Sequence, residues 1–179
     1  MLGARGIRDT TSYYKNTDLI FNFEARGTSG PSIMFESNGG NKWLLNQLKE
    51  ANIPVVATSI SEDIYAYMPN ITDFTIFTEN GVEGMNFAFI GGGKNYHNKM
   101  DRIENLDQNS LQHHGEYALG LAKQLGNADQ TDLNGSKAVY FNLPFGKIIS
   151  YPATWIIPHF IICTVLLLGL FIFSNKKDF

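Results

Sequence analysis

Nineteen residues from Trp155 to Phe173, WIIPHFIICTVLLLGLFIF, contain no Asp, Glu, Lys or Arg. Coiled as a helix at ~1.5 Å per residue, the run spans about 28 Å, close to the ~30 Å hydrocarbon core of a bilayer. Tyr151 and Trp155 stand at one end, where an interfacial aromatic belt would lie, and Lys176 and Lys177 follow the other. The pattern predicts a transmembrane helix over 153–173 and a short cytoplasmic tail over 174–179. The alternative is a buried core helix, but such helices rarely run this long without a polar face. The excess of positive charge after the run places the lysine end in the cytoplasm and the preceding residues in a lumen or outside, with Lys147 partly balancing the bias. Pro158 is expected to kink or end the first turn. His159 lies about one turn inside the interface, where a neutral or snorkelling imidazole is expected rather than a functional one.

About 150 residues remain for everything else. That length supports one domain with its own core. The whole chain is 44% hydrophobic, which excludes wholesale disorder, and its net charge of −3 offers no electrostatic footprint for nucleic acid. Seventeen glycines and thirteen phenylalanines suit a sheet-and-loop protein with an aromatic core. Cys163 is the single cysteine, expected to be inert, so no internal disulfide or cysteine-based metal site can form. Chemistry must therefore come from carboxylates, histidines and hydroxyls. The first residues, MLGARGIRDTTSYYKN, lack the apolar stretch of a signal peptide. The domain still has to be translocated, so either the C-terminal helix is the insertion signal or an upstream segment supplies one.

Alternating elements are expected along this part. Leu19–Phe23 reads as a buried strand, followed by a turn at 27–31 and a short strand over Ser32–Phe35. Asn41 can cap a helix through Trp43, Leu44, Leu45 and Leu48 that stops before Pro54. Val55–Thr58 reads as a short strand, and Ser61 as the cap of a helix ending at Met68. Val82–Ile90 is the next strand, stopped by Gly91-Gly92-Gly93. Asp107 or Asn109 starts a long helix whose stripe of Leu111, Gly115, Ala118, Ala122 and Leu125 ends at Gly126. Residues 127–147 read as irregular. Strands alternating with helices predict an α/β sandwich.

Several features invite a chemical reading without supporting one. Gly91-Gly92-Gly93-Lys94 looks like a phosphate loop, but that motif needs Gly at 88 and Ser or Thr at 95, where Ala88 and Asn95 stand. His113 and His114 are adjacent on a helix, so their side chains diverge by about 100° and suit a packed or surface pair better than a shared metal. Asn70-Ile71-Thr72 and Asn134-Gly135-Ser136 match the glycosylation pattern, which matters only in a eukaryotic secretory compartment. Two sites remain. Glu24 ends the first strand, just before a Gly-rich turn, where α/β sheets place ligands. His97 follows the second strong strand, with Asp101 four residues later either orienting the imidazole or bracing the loop.

The wording of these segments carries more. NFEARGTSGPSIMFE at 22–36, TSISEDIYAYMPNITDFTIF at 58–77 and GMNFAFIGGGKNYHNKMDRIENLDQNSLQHHGEYAL at 84–119 run in order and register. Over roughly residues 18–126 the chain resembles the C-terminal part of the co-catalytic zinc aminopeptidase family, of leucyl aminopeptidase and aminopeptidase Y type. Within it, the chain is most similar to the membrane-bound branch of vacuolar membrane protease and endoplasmic reticulum metallopeptidase type. The resemblance implies a partial three-layer α/β sandwich with a mixed sheet over 1–126, a juxtamembrane segment over 127–152, and the membrane helix. It implies that Glu24 binds one of two zinc ions and His97 the other. Asp101 takes a supporting role, and Asp73 and Tyr96 border the substrate pocket. Asn98 stands where the family commonly has Thr.

A two-zinc site needs about six protein contacts, including a carboxylate that bridges the metals. The family supplies the others from a His-x-Asp pair, a bridging Asp and an adjacent Glu-Glu, whose first member is the general base. Residues 1–21 contain none of these, and their only acids are Asp9 and Asp18. The expectation is therefore a membrane-anchored peptidase acting on peptides with a free N-terminus, of which this chain is a part, inactive alone. The missing N-terminal half, either upstream or as a separate chain, is the expected partner. Without it, a strand edge and an apolar face would be exposed. A catalytically inactive pseudopeptidase that binds partners is the alternative. A glutaminyl-cyclase-like relative, which shares the fold, fits the membrane tail and the NFEARGTSG wording poorly.

Overall fold

The computed structural model describes residues 2–126, 128, 133 and 135–175. Its centre is a three-stranded mixed sheet built from β1 (Leu19–Ala25), β2 (Ile33–Ser37) and β3 (Glu83–Phe89). The order is β1-β3-β2, with β1 parallel to β3 and β2 antiparallel to it. β3 is buried at every position, as a central strand covered on both faces must be. In β1 the period of two sorts the side chains. Leu19, Phe21 and Phe23 pack on the main core, while Asn22 and Glu24 turn to the opposite face.

The main core lies between the sheet and two helices, α2 (Lys42–Glu50) and α5 (Gln108–Leu125). Trp43, Leu44, Leu45 and Leu48 from α2 meet Tyr117 and Leu121 from α5 over Met34, Met85 and Phe87. Asp107 caps α5 by accepting from the Ser110 N–H at 2.8 Å, and its own N–H donates to the Thr28 carbonyl. The start of α5 is thereby tied to the turn after β1. Asn41 does not cap α2 as expected. Its buried side chain instead accepts from the Ala138 N–H at 2.8 Å.

The opposite face carries two shorter helices, α3 (Ser59–Ala66) and α4 (Asp73–Thr78). Thr58, in extended conformation, caps α3 in place of Ser61, whose hydroxyl bonds back to the Thr58 carbonyl. Thr72 and Thr75 form a capping box at α4, a short helix that the sequence pattern did not announce. A further unanticipated helix, α1 (Leu2–Thr10), packs against α4.

Two expectations are corrected beyond these. Val55–Thr58 is not a strand; it makes isolated bridges, Ala57 to Met34 and Thr58 to Phe141. Part of the stretch expected to be irregular forms a hairpin of β4 (Ala138–Asn142) and β5 (Ile148–Pro152). The reason is burial: Ala138 and Tyr140 alternate inward and join the main core.

From Pro152 a 3-10 turn leads into α6 (Ile156–Asn175). Ala153–Ser174 has a mean hydropathy of 2.6 and no buried residue, and among the described residues it is the one helix long and apolar enough to cross a membrane. Pro158 falls in the first turn, where no helical N–H is lost, and breaks nothing. His159 packs against the rings of Tyr151 and Trp155, at 4.9 and 5.7 Å between centroids. Lys176, Lys177 and Asn134 lie outside the described residues.

Candidate metal site

Parallel pairing puts the C-terminal ends of β1 and β3 side by side, with Glu24 in register with Ala88. The chain leaves both strands through glycine-rich turns, and these interlock. The N–H groups of Thr28 and Ser29 both donate to the Gly91 carbonyl, at 2.9 and 3.0 Å. A Cβ on Gly27 would overlap that same carbonyl oxygen, and Gly92 has φ +68°. Asn95 adds a staple, donating to the Thr28 hydroxyl at 2.9 Å. Gly91 and Gly92, of the three glycines that resembled a phosphate loop, therefore serve close approach of the two loops, while Gly93 has room for a side chain.

This junction carries His97 back toward Glu24. Both line one cavity of about 520 Å³, together with Asp73, Tyr96, Arg26 and Tyr65. Four of the five residues singled out in the sequence thus share a cavity. Asp101 does not line it: its Oδ2 accepts from the His97 backbone N–H at 3.3 Å, so it braces the loop rather than the imidazole. His97 is exposed and sits in the left-handed region at φ 56°, a conformation that costs a non-glycine residue ~1–2 kcal/mol. The Tyr96 ring stacks on the imidazole at 3.8 Å, and the Arg26 guanidinium lies 5.8 Å from the Tyr96 centroid.

Glu24 is held at both its side chain and its backbone. Its Oε1 accepts from Asn22 Nδ2 at 3.1 Å, and its carbonyl accepts from His114 Nε2 at 2.9 Å. A carbonyl only accepts, so Nε2 carries the His114 proton and Nδ1 accepts from the Ser32 hydroxyl, 2.7 Å away. Burial lowers the His114 pKa, favouring this neutral form. His113 follows the same logic, with Nδ1 accepting from the Ser32 N–H and Nε2 donating to the Pro54 carbonyl, each at 3.0 Å. The histidine pair is therefore packed, and His114 fixes the end of β1.

Arg26, Tyr65 and Asn22 were not singled out in the sequence. Period-two reading from Glu24 reaches Asn22 and Arg26, so that signal was available; nothing local marks Tyr65. A second, apolar hollow of about 590 Å³ opens beside the first and shares Arg26, Phe35 and Tyr65 with it. Ile33, Ile64 and Ile90 extend its wall.

A carboxylate and an imidazole are ligands that zinc accepts. Among the described residues, no three His, Cys, Asp or Glu side chains come together as one cluster. The donors fit zinc in kind and fall short of the four that an ion takes.

The chain is 29% identical to the putative endoplasmic reticulum metallopeptidase 1-B of Caenorhabditis elegans, over 98% of this chain and 21% of that protein. It is 27% identical to the human endoplasmic reticulum metallopeptidase 1, over 75% of this chain and 16% of that protein. It is 26% identical to the vacuolar membrane protease of Vanderwaltozyma polyspora, over 92% and 18%. The chain thus spans about a fifth of the length of these relatives. No solved structure matches. The family profile of Peptidase family M28 matches residues 1–122, the segment that holds both interlocked loops and every residue of the cavity. On that match the chain belongs to peptidase family M28.

Proposed function

We propose that this chain supplies Glu24 and His97 to the two-zinc site of a membrane-anchored aminopeptidase. The observation that carries the reading is their convergence on one cavity at the ends of two parallel strands, in a chain of family M28. Zinc, when bound there, would polarise the scissile carbonyl and lower the pKa of a bound water. Glu24 would hold one ion and His97 the other. Asp101 keeps the His97 loop in place, and Asp73 and Tyr96 border the space for the peptide, whose free amine would meet a nearby carboxylate. The bridging carboxylate, the general base and the remaining ligands come from polypeptide outside these 179 residues, either upstream in a longer chain or in a separate one. The donor count supports this division. α6 anchors the unit, and the lysines after it put the peptidase portion on the extracytoplasmic or lumenal side.

The test is hydrolysis of aminoacyl reporters by protein isolated from its own membrane. Activity should vanish with a chelator, return with zinc, and fall at least ~100-fold in Glu24→Gln and in His97→Ala. The purified 179-residue chain should show no zinc-dependent turnover. Turnover by that chain alone, or full activity in both variants, refutes the proposal. The shortfall in ligands also favours a second reading, a pseudopeptidase that binds peptides without cleaving them. Isolated native protein that binds peptide but never turns it over would select it.

A further inference from the structure

We infer that Asn22 and Asn86 are positioning residues that hold the Glu24 carboxylate for its metal; the inference rests on the reading of Glu24 as a ligand. The two amides form one row across all three strands. Asn22 and Asn86 are register partners on β1 and β3, and Glu36 of β2 opposes Asn86. One N–H of Asn22 Nδ2 goes to Glu24 Oε1 at 3.1 Å and the other to Asn86 Oδ1 at 2.9 Å. The N–H groups of Asn86 Nδ2 go to Glu36 Oε2 at 2.8 Å and to the Thr72 hydroxyl at 3.0 Å. All four amide protons are used. Flipping either amide would set donor against donor or acceptor against acceptor, so the row has a single orientation.

The sheet is shaped to make this row. Met34 opposes Phe87 and Glu36 opposes Asn86, so one extra residue, Phe35, stands between them as a bulge. Plain alternation would send Glu36 to the same face as Met34, into the apolar core. The bulge turns it to the face of Asn86. Asn86 is wholly buried at the middle of the central strand, a place where an apolar side chain would carry no desolvation cost. What its amide provides there is direction. It orients Asn22, which takes one oxygen of Glu24 and leaves the second for a cation. It also grips Thr72, the residue that caps α4 immediately before Asp73.

Zinc alone is the probe. It is titrated into the full 179-residue chain in detergent micelles, and the amide NMR shifts of residues 24 and 97 read affinities into the millimolar range. Asn22→Leu and Asn86→Leu are each expected to weaken zinc at residue 24 by about 10-fold, the lower end of the effect of removing a ligand's supporting group. In a Glu24→Gln background, where residue 24 no longer reports, the same substitutions should change the zinc affinity read at residue 97 less than ~2-fold, because their route is gone. Equal losses in both backgrounds would mean a merely structural role and overturn the proposal, as would no loss at all. Weakening by Glu24→Gln without weakening by Asn22→Leu overturns this inference alone. No effect of Glu24→Gln overturns the ligand reading and the inference with it. Asn22 is only half-buried, so Asn22→Ala, checked by thermal melting, keeps the test intact should Asn86→Leu fail to fold.

Discussion

Replacing Gly91 by alanine should destabilise the domain by about 3 kcal/mol, whereas the same change two residues on should be silent. A Cβ on Gly91 would stand 2.6 Å from the Ser29 carbonyl oxygen, about 0.8 Å short of the 3.4 Å where ordinary contact begins. The obstacle is backbone, so it cannot rotate away. Overpacking of this kind costs ~1–3 kcal/mol. Relief requires the two loops to part, and the bonds from Thr28 and Ser29 to the Gly91 carbonyl would then stretch, at ~1 kcal/mol each. At ~2–4 °C per kcal/mol for a chain of this size, the melting temperature should drop by about 6–12 °C. At Gly93 the nearest neighbour of a new Cβ is the Arg26 carbonyl oxygen at 3.5 Å, an ordinary contact, so Gly93→Ala should lie within ~0.5 kcal/mol of the parent. Thermal unfolding of the detergent-solubilised chain, followed by circular dichroism, decides it. Equal stability of Gly91→Ala and Gly93→Ala would refute the claim that the glycines serve loop contact.

Other expectations follow from single side chains. His97→Gly relieves the left-handed residue and should raise the stability of the metal-free chain by ~0.5–1 kcal/mol while removing zinc binding at that position, read by melting and zinc titration on one sample. Burial raises the pKa of Glu62, despite bonds accepted from Tyr140 and Ser37. Between the unfolded and the folded pKa the folded form holds a proton that the unfolded form releases, so its contribution is full below pH ~4.3 and is lost as pH rises through the folded pKa. The advantage of Glu62→Gln over the parent should therefore grow between pH 4 and 7 in melts across that range; an advantage that shrinks would contradict the sign. Tyr140→Phe removes the 2.7 Å bond to Glu62 and should cost ~1.5–3 kcal/mol by chemical denaturation. In sealed microsomes, residues before α6 should resist added trypsin; their digestion would reverse the proposed orientation.

The elements that the pattern foretold are those with a strong local period. β1 and β3 show apolar runs bounded by glycine, and Asp107 and Gly126 bracket α5; the expected stripe is not its core face, however, since Leu111, Ala118 and Ala122 are exposed while Tyr117 and Leu121 turn inward. What the pattern missed depends on distant partners. The hairpin of β4 and β5 has apolar, β-prone runs, AVYF and IISY, about a Pro-Phe-Gly turn, and Ala138 and Tyr140 anchor it to the core of α2 and α5. Asn41 looks like a helix cap, yet Ala138 claims its oxygen from 97 residues away. The same division holds at the site. That Glu24 and His97 stand at strand ends facing one cavity was legible from the strand pattern and from family wording. The role of Asn86 was not, since it depends on a bulge at Phe35 that appears only once β2 pairs with β3.

Glu24 and His97 are each proposed to hold one metal ion. The most direct test of this proposal is the zinc stoichiometry of the protein isolated from its own membrane, measured by native mass spectrometry for the parent, Glu24→Gln and His97→Ala. The account predicts two ions in the parent and the loss of one in each variant. Two ions retained in both variants would contradict it.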